Sequence, residues 1–75
     1  MSILGTDGRH HATQHFDPLF AYDHLPTHLR AVSAPCATLA ADMVETLPDG
    51  PELTAGLRKL LEAKDCFVRA ALAKP

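Results

Sequence analysis

The chain is expected to be all-α: an antiparallel two-helix hairpin with an extended N-terminal segment, assembling into a homo-oligomer. Three observations predict this. Apolar residues recur at helical spacing in two stretches of roughly twenty residues each. Pro48-Asp49-Gly50-Pro51 stands between them as a stop and restart signal. A chain of 75 residues with no Trp, one Tyr and three Phe has little with which to build a core, so copies of itself are the economical way to cover what remains.

From Met1 to about Phe16 the sequence is rich in Gly, His, Thr and Ser and has no apolar period, so residues 1–16 are expected to be a flexible histidine-rich arm. The helical hairpin domain then takes residues 17–75. Its first stretch, Asp17-Pro-Leu-Phe-Ala-Tyr-Asp-His-Leu-Pro26, should be extended and docked, with Phe16, Phe20 and Tyr22 closing the open end of the hairpin. Pro26 suits the first turn of a helix, where its missing N–H has no partner to lose, and Thr27 can help to cap it. Helix one runs from Thr27 to about Leu47 with Leu29, Val32, Cys36, Leu39, Ala40, Met43 and Leu47 on one face. Pro35 interrupts it, at about 3 kcal/mol or more for an interior proline. The apolar phase is the same on both sides, which favours one kinked helix over a break at Ser33 with that residue as a cap.

Helix two should span about Pro51 to Ala73, with Glu52 complementing its dipole. The short connection folds the second rod back on the first. Ala34, Ala41, Gly56, Ala63 and Ala70 lie off the main stripes and would let further helices approach closely. Gly56 weakens its helix by about 1 kcal/mol relative to alanine, so close packing is a reason to keep it, and tolerance near the first turns is the plain alternative.

The formal net charge of −2 conceals an asymmetry. Residues 1–50 carry Arg9 and Arg30 against six acids, whereas residues 51–75 carry five bases against three. A polymeric nucleic acid would call for a far more positive surface, so that partner is not expected. A compact anion held by a few groups remains open. Two cysteines are too few for a secreted disulfide scaffold and the apolar runs are too short to span a bilayer, so the expectation is a cytoplasmic protein with no membrane partner.

Several constellations carry possible chemistry. His10, His11 and His15 invite a metal, but zinc sites fix ligands on ordered elements with further partners at defined spacing, so no metal or other cofactor is expected. Cys36 lies on an apolar face, Cys66 has no base obviously aimed at it, and neither a phosphate loop nor a serine elbow is present, which speaks against an enzyme. Lys64 falls inside the apolar stripe of helix two, where a lone buried charge would cost several kcal/mol, on the order of a small domain's whole stability. It must snorkel outward, pair with a carboxylate or meet an anionic ligand. Beside it, Arg58, Glu62, Asp65 and Arg69 form an i, i+4, i+7, i+11 stripe. These are either intrahelical ion pairs worth about 0.2–0.5 kcal/mol each or carboxylates orienting guanidinium groups toward a phosphate. Tyr22 has a ring able to stack on a nucleobase and a hydroxyl able to bond a neighbour.

FAYDHLP, a helix, the turn LPDGPE and then LRKLLEAKDCFVRAALA together resemble the small helical-hairpin phage proteins of the anti-CBASS and anti-Thoeris cyclic-nucleotide sponge family. The resemblance covers about residues 16–73; the chain departs from better-known members in Pro35 and in its acidic first helix. It implies a homo-oligomer, commonly a hexamer, that sequesters cyclic di- or trinucleotide immune messengers in an infected bacterial host without degrading them. Ligand would sit at contacts between protomers, stacked on Tyr22 and, less directly, Phe20. Arg30, Arg58, Lys59, Lys64 and Arg69 are the basic residues whose chemistry suits its phosphates. The alternative is a structural or host-protein-interaction module with no nucleotide ligand.

Overall fold

A computed structural model describes residues 2–73, and its regular structure is entirely helical, with three α-helices and no strand among those residues. Helix α1 is a single turn, His11–Gln14; α2 covers Thr27–Thr46 and α3 covers Pro51–Ala73. A 3₁₀ turn at Pro18–Phe20 precedes α2. Residue 1 and residues 74–75, at the outer ends of the expected arm and hairpin domain, lie outside the described residues.

Helix α2 is continuous through Pro35, which is exposed and so surrenders its backbone bond on the solvent side. Ser33 sits inside the helix and is buried, so it does not cap a second piece. At the start of α2 the capping position belongs to Pro26, whose carbonyl accepts from the Leu29 and Arg30 amides. Thr27 makes no cap and instead accepts from Arg30. Leu47 turns extended (φ −111°, ψ 148°) and ends the helix. Helix α3 starts at Pro51 as expected, and the Thr54 amide and hydroxyl both donate to the Gly50 carbonyl.

Helices α2 and α3 pack along each other, with Val32 beside Phe67 and Ala71 at one end and Met43 beside Gly56 and Leu60 at the other. The seam is Cys36, Ala37, Ala40 and Val44 against Leu53 and Leu57. Over one side of that seam lie Leu4, Phe16 and Phe20, each no more than 2% exposed. Full burial of each phenylalanine is worth about 1.5–3 kcal/mol, so these rings form a large part of the core rather than a plug at one end.

The expectation of a flexible arm over residues 1–16 is therefore corrected for residues 2–16. They are docked because two carboxylates gather their polar groups. Asp17 accepts from Ser2 Oγ at 2.5 Å, the Ile3 and Leu4 amides at 2.8 and 3.1 Å, and Thr6 Oγ1 at 3.0 Å. Asp49 accepts from Arg9 Nε at 3.1 Å, the His10 amide at 2.9 Å and Thr13 Oγ1 at 2.7 Å. Arg9 also donates to the Val44 and Leu47 carbonyls, left free where α2 ends. Gly5 and Gly8, with φ of +70° and +79°, make the tight turns between these anchors.

Candidate functional site

Lys64 leaves the apolar stripe by reaching over it. Its Nζ donates to the Leu19 carbonyl at 3.1 Å and pairs with Asp65 at 3.2 Å, leaving the side chain 14% exposed. Of the three outcomes open to a charge in that stripe, an internal pair is thus realised, and the ammonium also pins the 3₁₀ turn to α3. Of the two readings of the neighbouring stripe, the intrahelical ion pairs do not form. Among the described residues the ion pairs are Arg9–Asp49 and Lys64–Asp65. Arg58 instead lies over the Phe16 ring, 5.4 Å from its centroid, and Arg69 donates to Cys66 Sγ at 3.3 Å.

Lys64 and Arg69 meet at the rim of a cavity of about 370 Å³, where Leu19, His24, Ser33 and Asp65 also contribute. That volume lies in the ordinary range for small-molecule sites, roughly 300–1,000 Å³. Ser33 distinguishes this cavity. It is 2% exposed, and its Oγ has no hydrogen-bond partner. An unpaired buried hydroxyl costs about 1–3 kcal/mol and calls for an explanation in a native structure. Ser33 lines the same space as Lys64, Arg69 and His24, which bring an ammonium, a guanidinium and an imidazole. Arg69 brings five N–H donors, and the thiol engages one guanidinium nitrogen. With Asp65 paired to Lys64, the positive charge of Arg69 is left over. The arrangement offers donors and net positive charge, with Leu25 and Val68 as apolar wall: the makings of a site for a small oxyanion carrying an apolar or aromatic group.

A larger cavity of about 660 Å³ lies near the α2–α3 connection, lined by His10, Thr13, Asp49, Thr54 and Arg58. Its polar groups largely satisfy one another. Asp49 holds Thr13 and the His10 amide, Thr54 donates to Gly50, and His10 Nδ1 accepts from the Ala12 amide at 3.1 Å. Hydrogen bonds from the His10 amide and Thr13 hydroxyl, together with Arg9, hold the Asp49 carboxyl down at about 2. Partial burial pushes Asp17 up, but the four bonds from Ser2, Ile3, Leu4 and Thr6 outweigh it and leave that carboxyl below the usual range. These are structural carboxylates.

The seven residues singled out from sequence are thus dispersed. Lys64 and Arg69 share the smaller cavity, and Arg58 borders the larger one. Arg30 is exposed on α2 and bonds Thr27, and Lys59 is exposed on α3. Tyr22 is half-buried against the core cluster. Phe20 is 1% exposed, so its ring is core and has no face to offer a base. His24 and Ser33 are additions to the site that sequence did not single out. Ser33 reads in the sequence as an ordinary helix residue or cap, and only burial without a partner marks it. His10 and His11 stack with centroids 4.2 Å apart, and among the described residues no group of three or more His, Cys, Asp or Glu side chains is placed to hold a metal ion. No helix among the described residues is long and apolar enough to cross a membrane. No protein-family model, curated protein or solved structure matches the chain.

Proposed function

We propose that this chain is a non-enzymatic phage anti-defence protein that captures a cyclic di- or trinucleotide, or a related nucleotide messenger, in the Ser33–Lys64–Arg69 cavity and keeps it from a host effector. The observation that carries the reading is the orphan hydroxyl of Ser33, a buried residue that lines one cavity with two cations and an imidazole. A phosphodiester supplies an acceptor oxygen to the unpaired Ser33 hydroxyl and a counter-charge to Arg69, and a base supplies the flat apolar surface that Leu25 and Val68 can cover. In this reading the chain is a helical hairpin that gathers into a homo-oligomer, a hexamer by the resemblance noted above. Arg69 is the principal phosphate ligand because its charge is uncompensated, and Lys64 positions the rim. Of the aromatic residues, Tyr22 is only half-buried, whereas Phe20 takes no part.

Native mass spectrometry of the protein with mixed cyclic di- and trinucleotides tests this. The expected result is an oligomer retaining one messenger class that is recovered unaltered after denaturation. Altered product would make the protein an enzyme. Retention of nothing would leave the structural or host-protein-interaction module, whose surface would come from the exposed Leu39, Leu47 and Phe67. Arg69→Ala removes one charge-assisted contact and should weaken capture by about 1.5–3 kcal/mol, roughly ten- to a hundredfold.

A further inference from the structure

The N-terminal segment covers only one side of the α2–α3 layer. On the other side Val32, Leu39 and Met43 of α2 and Gly56, Leu60 and Phe67 of α3 line two apolar grooves, one at each end of the pair. At 100° per residue both sets project to the same side, so the grooves belong to one face. Three of the five large apolar side chains exposed on the described surface are here: Leu39 at 48%, Leu47 at 41% and Phe67 at 54%.

We propose that this face docks a second copy of the chain, related by a two-fold axis parallel to the helices, so that α2 of each copy lies over α3 of the other. The charge pattern selects this occupant and this orientation. The rim of the face carries Asp42 on the α2 edge and Lys59 on the α3 edge, with Glu52 nearer the start of α3; all three are exposed and, among the described residues, without an ion-pair partner. Laying α2 over α3 of the second copy brings Asp42 of each to Lys59 of the other, twice. Laying α2 over α2 would leave Asp42 and Lys59 on opposite edges and offer no such pairing.

Side-chain size agrees with the charges. Along α3 the small residues Gly56, Ala63 and Ala70 recur every seven positions and alternate with Leu60 and Phe67. That spacing offers hollows to Val32, Leu39 and Met43 of the second copy, as in packed left-handed bundles. A Cβ at Gly56 would meet nothing within 4 Å in the single chain, so nothing in the protomer itself requires glycine there. Each helix is roughly 30 Å long and 10 Å wide, giving a face on the order of 600 Å² in plan. That is of the same order as the roughly 800 Å² per partner of a stable interface.

This inference specifies the assembly within the proposed function and is independent of the ligand, because the cavity opens on the covered side. Sedimentation equilibrium of the full chain without nucleotide is the test. The wild type should weigh as the pair or a whole multiple of it. Gly56→Leu fills a hollow that is open space in the single chain, so it should keep native helicity and give a lighter species. Lys59→Asp should weaken pairing, and Asp42→Lys combined with it should restore pairing. A wild type that remains a single chain overturns the proposal. So does an assembly indifferent to Gly56→Leu, or a double reversal that fails to recover what Lys59→Asp lost. Loss of nucleotide capture with pairing intact would count against the ligand reading alone.

Discussion

Single side chains decide most of what is particular to this protein. Ser33 has an exchange built into it: with no partner for its hydroxyl in the free protein, Ser33→Ala should raise unfolding free energy by about 1 kcal/mol in urea titrations while weakening nucleotide capture. A hydroxyl with only a structural role would instead lose stability on removal. Asp49 acts in the opposite way, as a hub whose three donors come from residues 9–13. Its carboxyl is depressed from 3.8 to about 2, so its contribution to stability is complete above the unfolded value and is lost as pH falls through the folded one. Asp49→Asn should therefore shrink the loss of stability seen by circular dichroism between those two values. Asp17, depressed for a similar reason, should keep the remainder of that acid limb.

At the level of elements, the two long helices were legible because periodicity and proline placement act locally. Pro51 and the apolar spacing mark α3 from its first residue to Ala73, and the unbroken phase across Pro35 marks α2 as one helix. The docking of residues 2–16 was not legible. It depends on Asp17 and Asp49 reaching donors up to 39 positions away, and a polar stretch without period carries no trace of partners so distant. The same limit applies to the site: helical spacing placed Lys64 and Arg69 on α3, but only the packed chain brings His24 and Ser33 to them. Arg58 shows the reverse, since its i, i+4 acid was in register yet the guanidinium chose the Phe16 ring. Because Phe16 is fully buried between the N-terminal segment and the helices, Phe16→Ala should cost about 3–5 kcal/mol in chemical denaturation. That is a large share of the roughly 5–15 kcal/mol typical of a native domain. Gly56→Ala should add up to about 1 kcal/mol when measured dilute enough to keep chains apart, since its Cβ enters open space in a helix.

The whole molecule, 41 × 23 × 17 Å, has two unlike broad sides. One is closed by residues 2–25, which supply Leu4, Phe16 and Phe20 to the core and Leu19 and His24 to the cavity; the other is apolar and open. On this account ligand capture belongs to the closed side and assembly to the open one, so each can be disabled separately. The most direct check is a titration of the isotope-labelled protein with a cyclic dinucleotide or trinucleotide, followed by backbone amide chemical shifts. The account predicts saturable shifts centred on His24, Ser33, Lys64 and Arg69, with Leu39 and Gly56 little moved. Shifts confined to His10, Thr54 and Arg58, or no shift with any cyclic nucleotide, would contradict it.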